Sequence, residues 1–235
     1  MHRISSVCLF ALLILLAMAC EPSTVPEKND MPAQTGALDG EVALSDDNAM
    51  TATQAQRVVT LAPNITESVF AIGAGNRVVG VTDFCKYPPE ARQLQHCGGW
   101  ANPNLEILSA LEPDLILVQG QHDKVRNFGK SRGIAVESVD MDSVASILAG
   151  IEKIGRLMGR QDEAQALTDR LNSDLDDFRM QLPPVDERPK VFISIGRQAG
   201  SLSGVYTAAG GSFLDEAVTL AGGRNIFADV IQPYP

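Results

Sequence analysis

The chain has 235 residues, 45% of them hydrophobic and 5% aromatic, and a formal net charge of -10 at pH 7. That length allows one large domain or two small ones with a real core. No cluster of Lys and Arg is present, which weighs against a nucleic-acid binder that must neutralise phosphates.

His2 and Arg3 give a short positive start, Val7 to Leu16 is an uncharged apolar run, and Ala17, Met18, Ala19 and Cys20 follow. This is the pattern of an export signal over residues 1–19, and the run is shorter than the ~20 residues of a transmembrane helix. Two cuts fit. Ala17-Met18-Ala19 satisfies the small-residue rule of an ordinary secretory signal. Cys20 fits the lipidated cysteine of a bacterial lipoprotein, although Ala17 stands where those usually carry Leu. The polar stretch after Cys20 favours lipidation, and with it an anchor at the outer face of a membrane. Residues 20–56 read as a disordered acidic tether, because Glu21 to Gln56 holds seven acids against Lys28, with several Pro and Gly and no aromatic.

From Arg57 the pattern alternates between strand and helix. Val58, Val59 and Leu61 predict a strand. Asn64 with Glu67 predicts a capping box opening a helix, ended at Gly73 or Gly75. Val78 to Val81 is a second strand, Pro103 opens a helix carrying Leu105, Leu108 and Leu111, and Asp114 to Val118 is apolar enough for a buried parallel strand. Lys124 to Ser131 reads as a helix and Ile134 to Val139 as a strand. The result is an α/β layer with a mostly parallel sheet over residues 57–141. Residues 142–182 are helical, with a break near Gly159 and a restart at Asp162. Ala164, Leu167, Leu171, Leu175, Phe178 and Leu182 then form one apolar stripe, which fits either a core helix or a stiff rod between two lobes. Pro183 and Pro184 stop it. Residues 188–235 begin a second α/β unit: a strand from Val191 to Ile195, a helix capped by Ser212 and Asp215 and ended by Gly222 and Gly223, and a short strand from Asn225 to Phe227.

No set of side chains suggests catalysis. His96 and His122 lie in polar loops away from any nucleophile pattern, and Gly73-Ala74-Gly75 follows a helix rather than the strand a phosphate loop requires. Cys85 and Cys97 form either a disulfide, favoured in an oxidising compartment, or two free thiols. With His96 they still lack a fourth metal ligand. What stands out is aromatics in loops. Phe84, Trp100, Tyr206 and Tyr234 follow strand ends or sit at loop tips, where open α/β sheets place ligands, and their faces suit a large flat guest.

Arg57-Val-Val-Thr-Leu-Ala-Pro-Asn-Ile-Thr-Glu67, Tyr87-Pro-Pro-Glu90, Gly99-Trp100-Ala-Asn-Pro-Asn-Leu-Glu106, Leu111-Glu-Pro-Asp-Leu115 and Ala221-Gly-Gly-Arg-Asn-Ile-Phe227 occur in this order. Together they resemble the substrate-binding components of bacterial ABC importers for cobalamin, siderophores and haem, which have a helical backbone. The resemblance implies two Rossmann-like lobes joined by one long helix, with ligand between them and no catalysis. It implies capture of cobalamin or a related corrinoid outside the cytoplasm and delivery to a membrane permease. A ferric siderophore, with Arg197 or Arg224 meeting carboxylates, or haem, with Tyr206 or Tyr234 as a ligand, is the alternative. By the same resemblance Phe84, Trp100, Tyr206 and Tyr234 contact ligand. Gln119 replaces a tryptophan of the cobalamin-binding members, and Glu106 docks on permease arginines. Members continue for several more strand–helix units, so the expectation is a chain truncated at its C-terminus, with an incomplete second lobe, and a monomer when full length.

Overall fold

The structure is a computed structural model describing residues 54–197, 200 and 204–230. The signal, Cys20, most of the tether and Tyr234 lie outside the described residues.

Five short strands form one parallel sheet: β1 (Val58–Thr60), β2 (Val78–Val81), β3 (Gln95–His96), β4 (Leu115–Val118) and β5 (Ala135–Ser138), in the spatial order β3-β2-β1-β4-β5. Strand side chains alternate between faces, so the sheet carries two cores. Val58, Leu115 and Leu117 pack on one face against Ile65, Val69 and Ile72 of α1 (Pro63–Ala71) and against Ile151, Ile154 and Met158 of α4 (Val144–Met158). Val59, Leu61, Ile116 and Val118 pack on the other face against Leu108 of α2 (Leu105–Ala110) and Val125 of α3 (Asp123–Arg132). All four residues of β4 are buried, as a central parallel strand flanked by helices on both faces requires.

The Leu111–Leu115 motif fastens the start of β1. The Asp114 carboxylate accepts the backbone N–H of Gln56 at 2.8 Å and of Arg57 at 3.1 Å, and the Arg57 guanidinium donates to the carbonyls of Leu111 at 2.6 Å and Glu112 at 3.2 Å. Glu112 takes φ +45 to make this turn, a left-handed conformation uncommon for a residue with a Cβ. The motif is thus structural.

After β5, Ser143 caps α4 through a reciprocal bond pair with Ser146, and Gly159 closes the helix in the left-handed conformation. The restart is α5 (Gln161–Met180), 20 residues long. Ala164, Leu167 and Leu171 of its stripe join the first core, whereas Phe178 is exposed near its far end. The stripe therefore docks the first half of α5 and leaves its last turns reaching beyond the sheet. Among the described residues, no helix is long and apolar enough to cross a membrane.

The second half holds smaller pieces. β6 (Lys190–Val191) pairs in parallel with β9 (Arg224–Asn225), and β7 (Ser194–Gly196) pairs antiparallel with β8 (Tyr206–Thr207). Ser212 caps α6 (Phe213–Leu220) by accepting the Asp215 N–H. Buried Asn225 donates to Ala208 O at 2.9 Å and to Asp215 Oδ1 at 3.0 Å, tying the β8 loop, α6 and β9 together. The Glu216 carboxylate accepts the Val144 N–H at 2.6 Å, placing negative charge at the N-terminus of α4, where the helix dipole favours it. Phe192, Ile195 and Ile226 stay exposed here.

Three expectations change. The capping box at Asn64 does not form: Pro63 occupies the first turn, Ala62 is the cap residue without a side-chain bond, and Asn64 lies inside the helix. The strand expected over Val191 to Ile195 is split, its two parts pairing with different partners. Cys85 and Cys97 are free and buried. Cys85 packs in the core of the first face beside the Thr66 and Thr82 hydroxyls at 3.1 and 3.2 Å, while Cys97 packs in the core of the second face. The sheet separates their environments.

Two outcomes follow from this packing. Peptide mapping of unfolded, unreduced protein should find Cys85 and Cys97 both alkylated, and a linked pair of peptides would contradict the two-core placement. A Cβ on Gly155 would press on Ala164 Cβ and lie 3.0 Å from Arg160 O. Gly155→Ala should therefore cost about 1–3 kcal/mol, read as a lower urea midpoint, and an unchanged midpoint would count against a close α4–α5 junction.

Candidate functional site

In an open parallel sheet, the loops leaving the carboxyl ends of the strands meet at the point where strand order reverses. Here that point lies between β1 and β4, which are neighbours although β2 and β3 intervene in sequence. Asn64 follows β1 and Gln119 follows β4. The Asn64 amide donates to Gln119 Oε1 at 3.0 Å, and Gln119 Nε2 donates to Asp142 Oδ1, beyond β5, at 3.0 Å. One side chain thus bridges three strand ends, using its acceptor toward β1 and its donor toward β5.

The aromatics gather on this bridge. The Trp100 indole N–H donates to the Gln119 carbonyl at 3.4 Å, and the indole meets the His122 ring edge-on with centroids 4.7 Å apart. Phe84, leaving β2, reaches the same loop: a Cβ on Gly99 would sit 3.6 Å from Phe84 Cε2. Gly98 takes φ +88, so the Gly98-Gly99 pair makes the turn that presents Trp100. Phe84 and Trp100 remain 56% and 47% exposed. Large apolar rings left this open, and clustered over polar groups, are what a ligand surface needs.

His122 lies beneath this surface, 8% exposed, and its Nε2 has no hydrogen-bond partner among the described residues. Burying a polar group without a partner costs about 1–3 kcal/mol. Burial, helped by the nearby Arg126 charge, pushes the imidazole pKa below its ordinary 6.5, which favours the neutral ring. At the rim, Asp83 and His96 pair at 3.5 Å.

The structure thus unites Phe84, Trp100 and Gln119 of the expected residues. Tyr206 is 54% exposed on β8 and makes no ring contact with Phe84 or Trp100 among the described residues. Glu106 is exposed in the first turn of α2, its N–H held by Asn104 Oδ1 at 2.9 Å. The sequence does not single out Asn64, read there as a cap, or Asp142 and His122 as neighbours of this cluster. Their common signal was position: each follows the end of a predicted strand.

A separate hollow of about 570 Å³ is lined by Glu67, Phe70, Tyr87, Glu90 and Arg160, among others. It lies over α1, and none of the switch-point residues lines it. Among the described residues there is no group of three or more His, Cys, Asp or Glu placed to hold a metal ion.

The chain belongs to the periplasmic binding protein family, whose sequence profile matches residues 58–232. It is 29% identical over 184 residues to the vitamin B12-binding protein of Yersinia pestis (strain Pestoides F), covering 77% of this chain and 63% of that protein. The chain therefore spans under two thirds of that relative's length. Among solved structures, it is similar to the periplasmic vitamin B12 binding protein BtuF of Vibrio cholerae, at 28% identity and a TM-score of 0.62, covering 77% and 69% of the two chains. It is also similar to a possible iron-binding solute-binding protein of Staphylococcus epidermidis, at 26% identity and a TM-score of 0.64, covering 78% and 71%.

Partial burial raises the Glu67 carboxyl from an ordinary 4.5 to about 7. The folded chain holds this proton more tightly than the unfolded one, so its contribution to stability is complete below about pH 4.5 and is lost as pH rises to 7. Glu67→Gln should flatten the thermal midpoint between pH 5 and 7.5 relative to the parent. The same slope in both proteins would show that another group titrates.

Proposed function

We propose that this chain is the extracytoplasmic capture component of an ABC importer, holding cobalamin or a related corrinoid by flat contact and polar bonds and delivering it to a membrane permease. The observation that carries this reading is the pair of half-exposed rings, Phe84 and Trp100, gathered on the Gln119 bridge at the switch point of the sheet. Aromatic faces gain most from a broad, flat, largely apolar guest. The named vitamin B12-binding relatives support the corrinoid class. The work is capture and handover, in keeping with a family of binding proteins rather than enzymes.

Tyr206 and Tyr234 complete the ligand surface from the second half in this reading, with residues 57–141 and 188–235 as two lobes and residues 142–182 as the connection. Glu106, exposed at the start of α2, is the docking acid for permease arginines. Charges at such a rim set encounter rate and register more than affinity. In this reading export places the protein in the periplasm or at the outer face of the cell membrane, with Cys20 as its lipid anchor, and it acts as a monomer.

A ferric siderophore or haem is the second reading. It is favoured by Gln119 standing where cobalamin-binding members carry an aromatic, by the open phenol of Tyr206, and by the similarity to the possible iron-binding protein.

The visible absorption spectrum of protein purified from its native host separates these guests. A corrinoid spectrum is expected. A haem or ferric-siderophore spectrum would replace the first reading with the second, and turnover of a bound compound would revive an enzyme. Glu106→Ala should leave ligand affinity within about twofold while cutting uptake, since rim charges act mainly on docking. An equal loss of both would remove Glu106 from docking.

A further inference from the structure

No hydrogen bond of the His122 side chain among the described residues explains its identity. It occupies the cap position of α3, yet its side chain makes no capping bond; only its carbonyl serves the helix, accepting the Arg126 N–H at 2.8 Å. Ser, Thr, Asp or Asn would cap the helix better. The imidazole is 8% exposed and its Nε2 is unpartnered among the described residues. Native folds rarely leave a buried polar atom so, and each one calls for an explanation.

What covers the ring is Trp100. The two rings meet edge-on at 4.7 Å with planes 82° apart. The cover is lightly held: the indole is 47% exposed, its hydrogen bond to Gln119 is 3.4 Å long, and it hangs on the Gly98-Gly99 turn. A guest pressing on the indole therefore has a ring to move and an unpaired nitrogen to find behind it.

We infer that His122 is a specificity residue for the captured ligand: displacement of the Trp100 indole uncovers its imidazole, and Nε2–H then donates a hydrogen bond to an amide or carboxylate oxygen on the ligand's edge. This rests on the capture reading above and adds to it a polar contact that ranks ligands by the oxygens at their rim. A neutral imidazole suits the task, since it donates at one nitrogen without bringing a charge into a buried site. The gain is double: a ligand oxygen is met, and the nitrogen left unpaired in the free protein is satisfied.

The test uses the full chain and two probes, cyanocobalamin for amide oxygens and haemin for carboxylates. His122→Phe fills the same space without a donor. It should weaken the better-bound probe about tenfold, the worth of one such bond, without lowering the thermal midpoint, because an unpaired polar atom has been removed from the core. His122→Gln, which keeps a donor, should recover most of the affinity, and the His122 ring resonances should shift on loading. Equal affinity in parent and His122→Phe would overturn the inference while leaving the capture reading intact. A lower midpoint in His122→Phe would also overturn it, by showing that the imidazole is a supporting part of the fold. A parent chain that binds neither probe would contradict the capture reading, and this inference with it.

Discussion

The site depends on the two ends of one amide. Gln119 leaves the central strand at the place where the sheet's order reverses, and its side chain accepts from Asn64 and donates to Asp142, both at 3.0 Å. Its carbonyl takes the indole N–H of Trp100. The first turn of α1 and the loops of Asp142 and Trp100, with no sequence proximity, are thereby fixed to each other through a single residue. A hydrocarbon at position 119 would leave the Asn64 donor and the Asp142 acceptor without this partner. A carboxylate there would meet Asp142 with like charge. An amide serves both neighbours because its two ends have opposite roles.

The sheet makes this bridge possible. β4 is buried over its whole length between helices on both faces, so its carboxyl end emerges at a fixed height beside that of β1. The same division into two faces separates Cys85 from Cys97. The anchor at the opposite edge, where Asp114 and Arg57 tie the start of β1 to the turn before β4, sets the register of the two strands that Asn64 and Gln119 follow. Packing and register deliver the site, and the loops only decorate it. Preorganisation of this kind reduces what a ligand must spend on ordering the loops.

Much of this was legible in the sequence, because alternation and helical period are strong signals for long elements. The apolar run Leu115 to Val118, the stripe from Ala164 to Leu171 and the glycine stop at Gly159 all correspond to observed features. Phe84 and Trp100 are legible as aromatics in loops, whereas Gln119 enters only through the resemblance, because a lone glutamine after a strand carries no signal of its own. The misses have physical causes. Asn64 followed by Glu67 has the spelling of a capping box, but Pro63 fits the first turn and moves the boundary, freeing Asn64 for Gln119. Which face a cysteine occupies depends on loop geometry that period alone does not encode. His122 has the polar sequence context of a loop residue, and only the fold brings Trp100 over its buried ring. The strand after the long helix was overextended because Phe192 and Ile193 are apolar in sequence yet fall between two strands with different partners.

Trp100 is the sole tryptophan of the chain, so its emission reports on this one place. The most direct measurement is its fluorescence during titration with cyanocobalamin, corrected for absorption by the ligand, in the parent and in Gln119→Leu. A bridge that organises the ligand surface predicts saturable quenching in the parent and a weaker, shifted curve in the variant. Superimposable curves, or emission that ignores the ligand in both proteins, would contradict it.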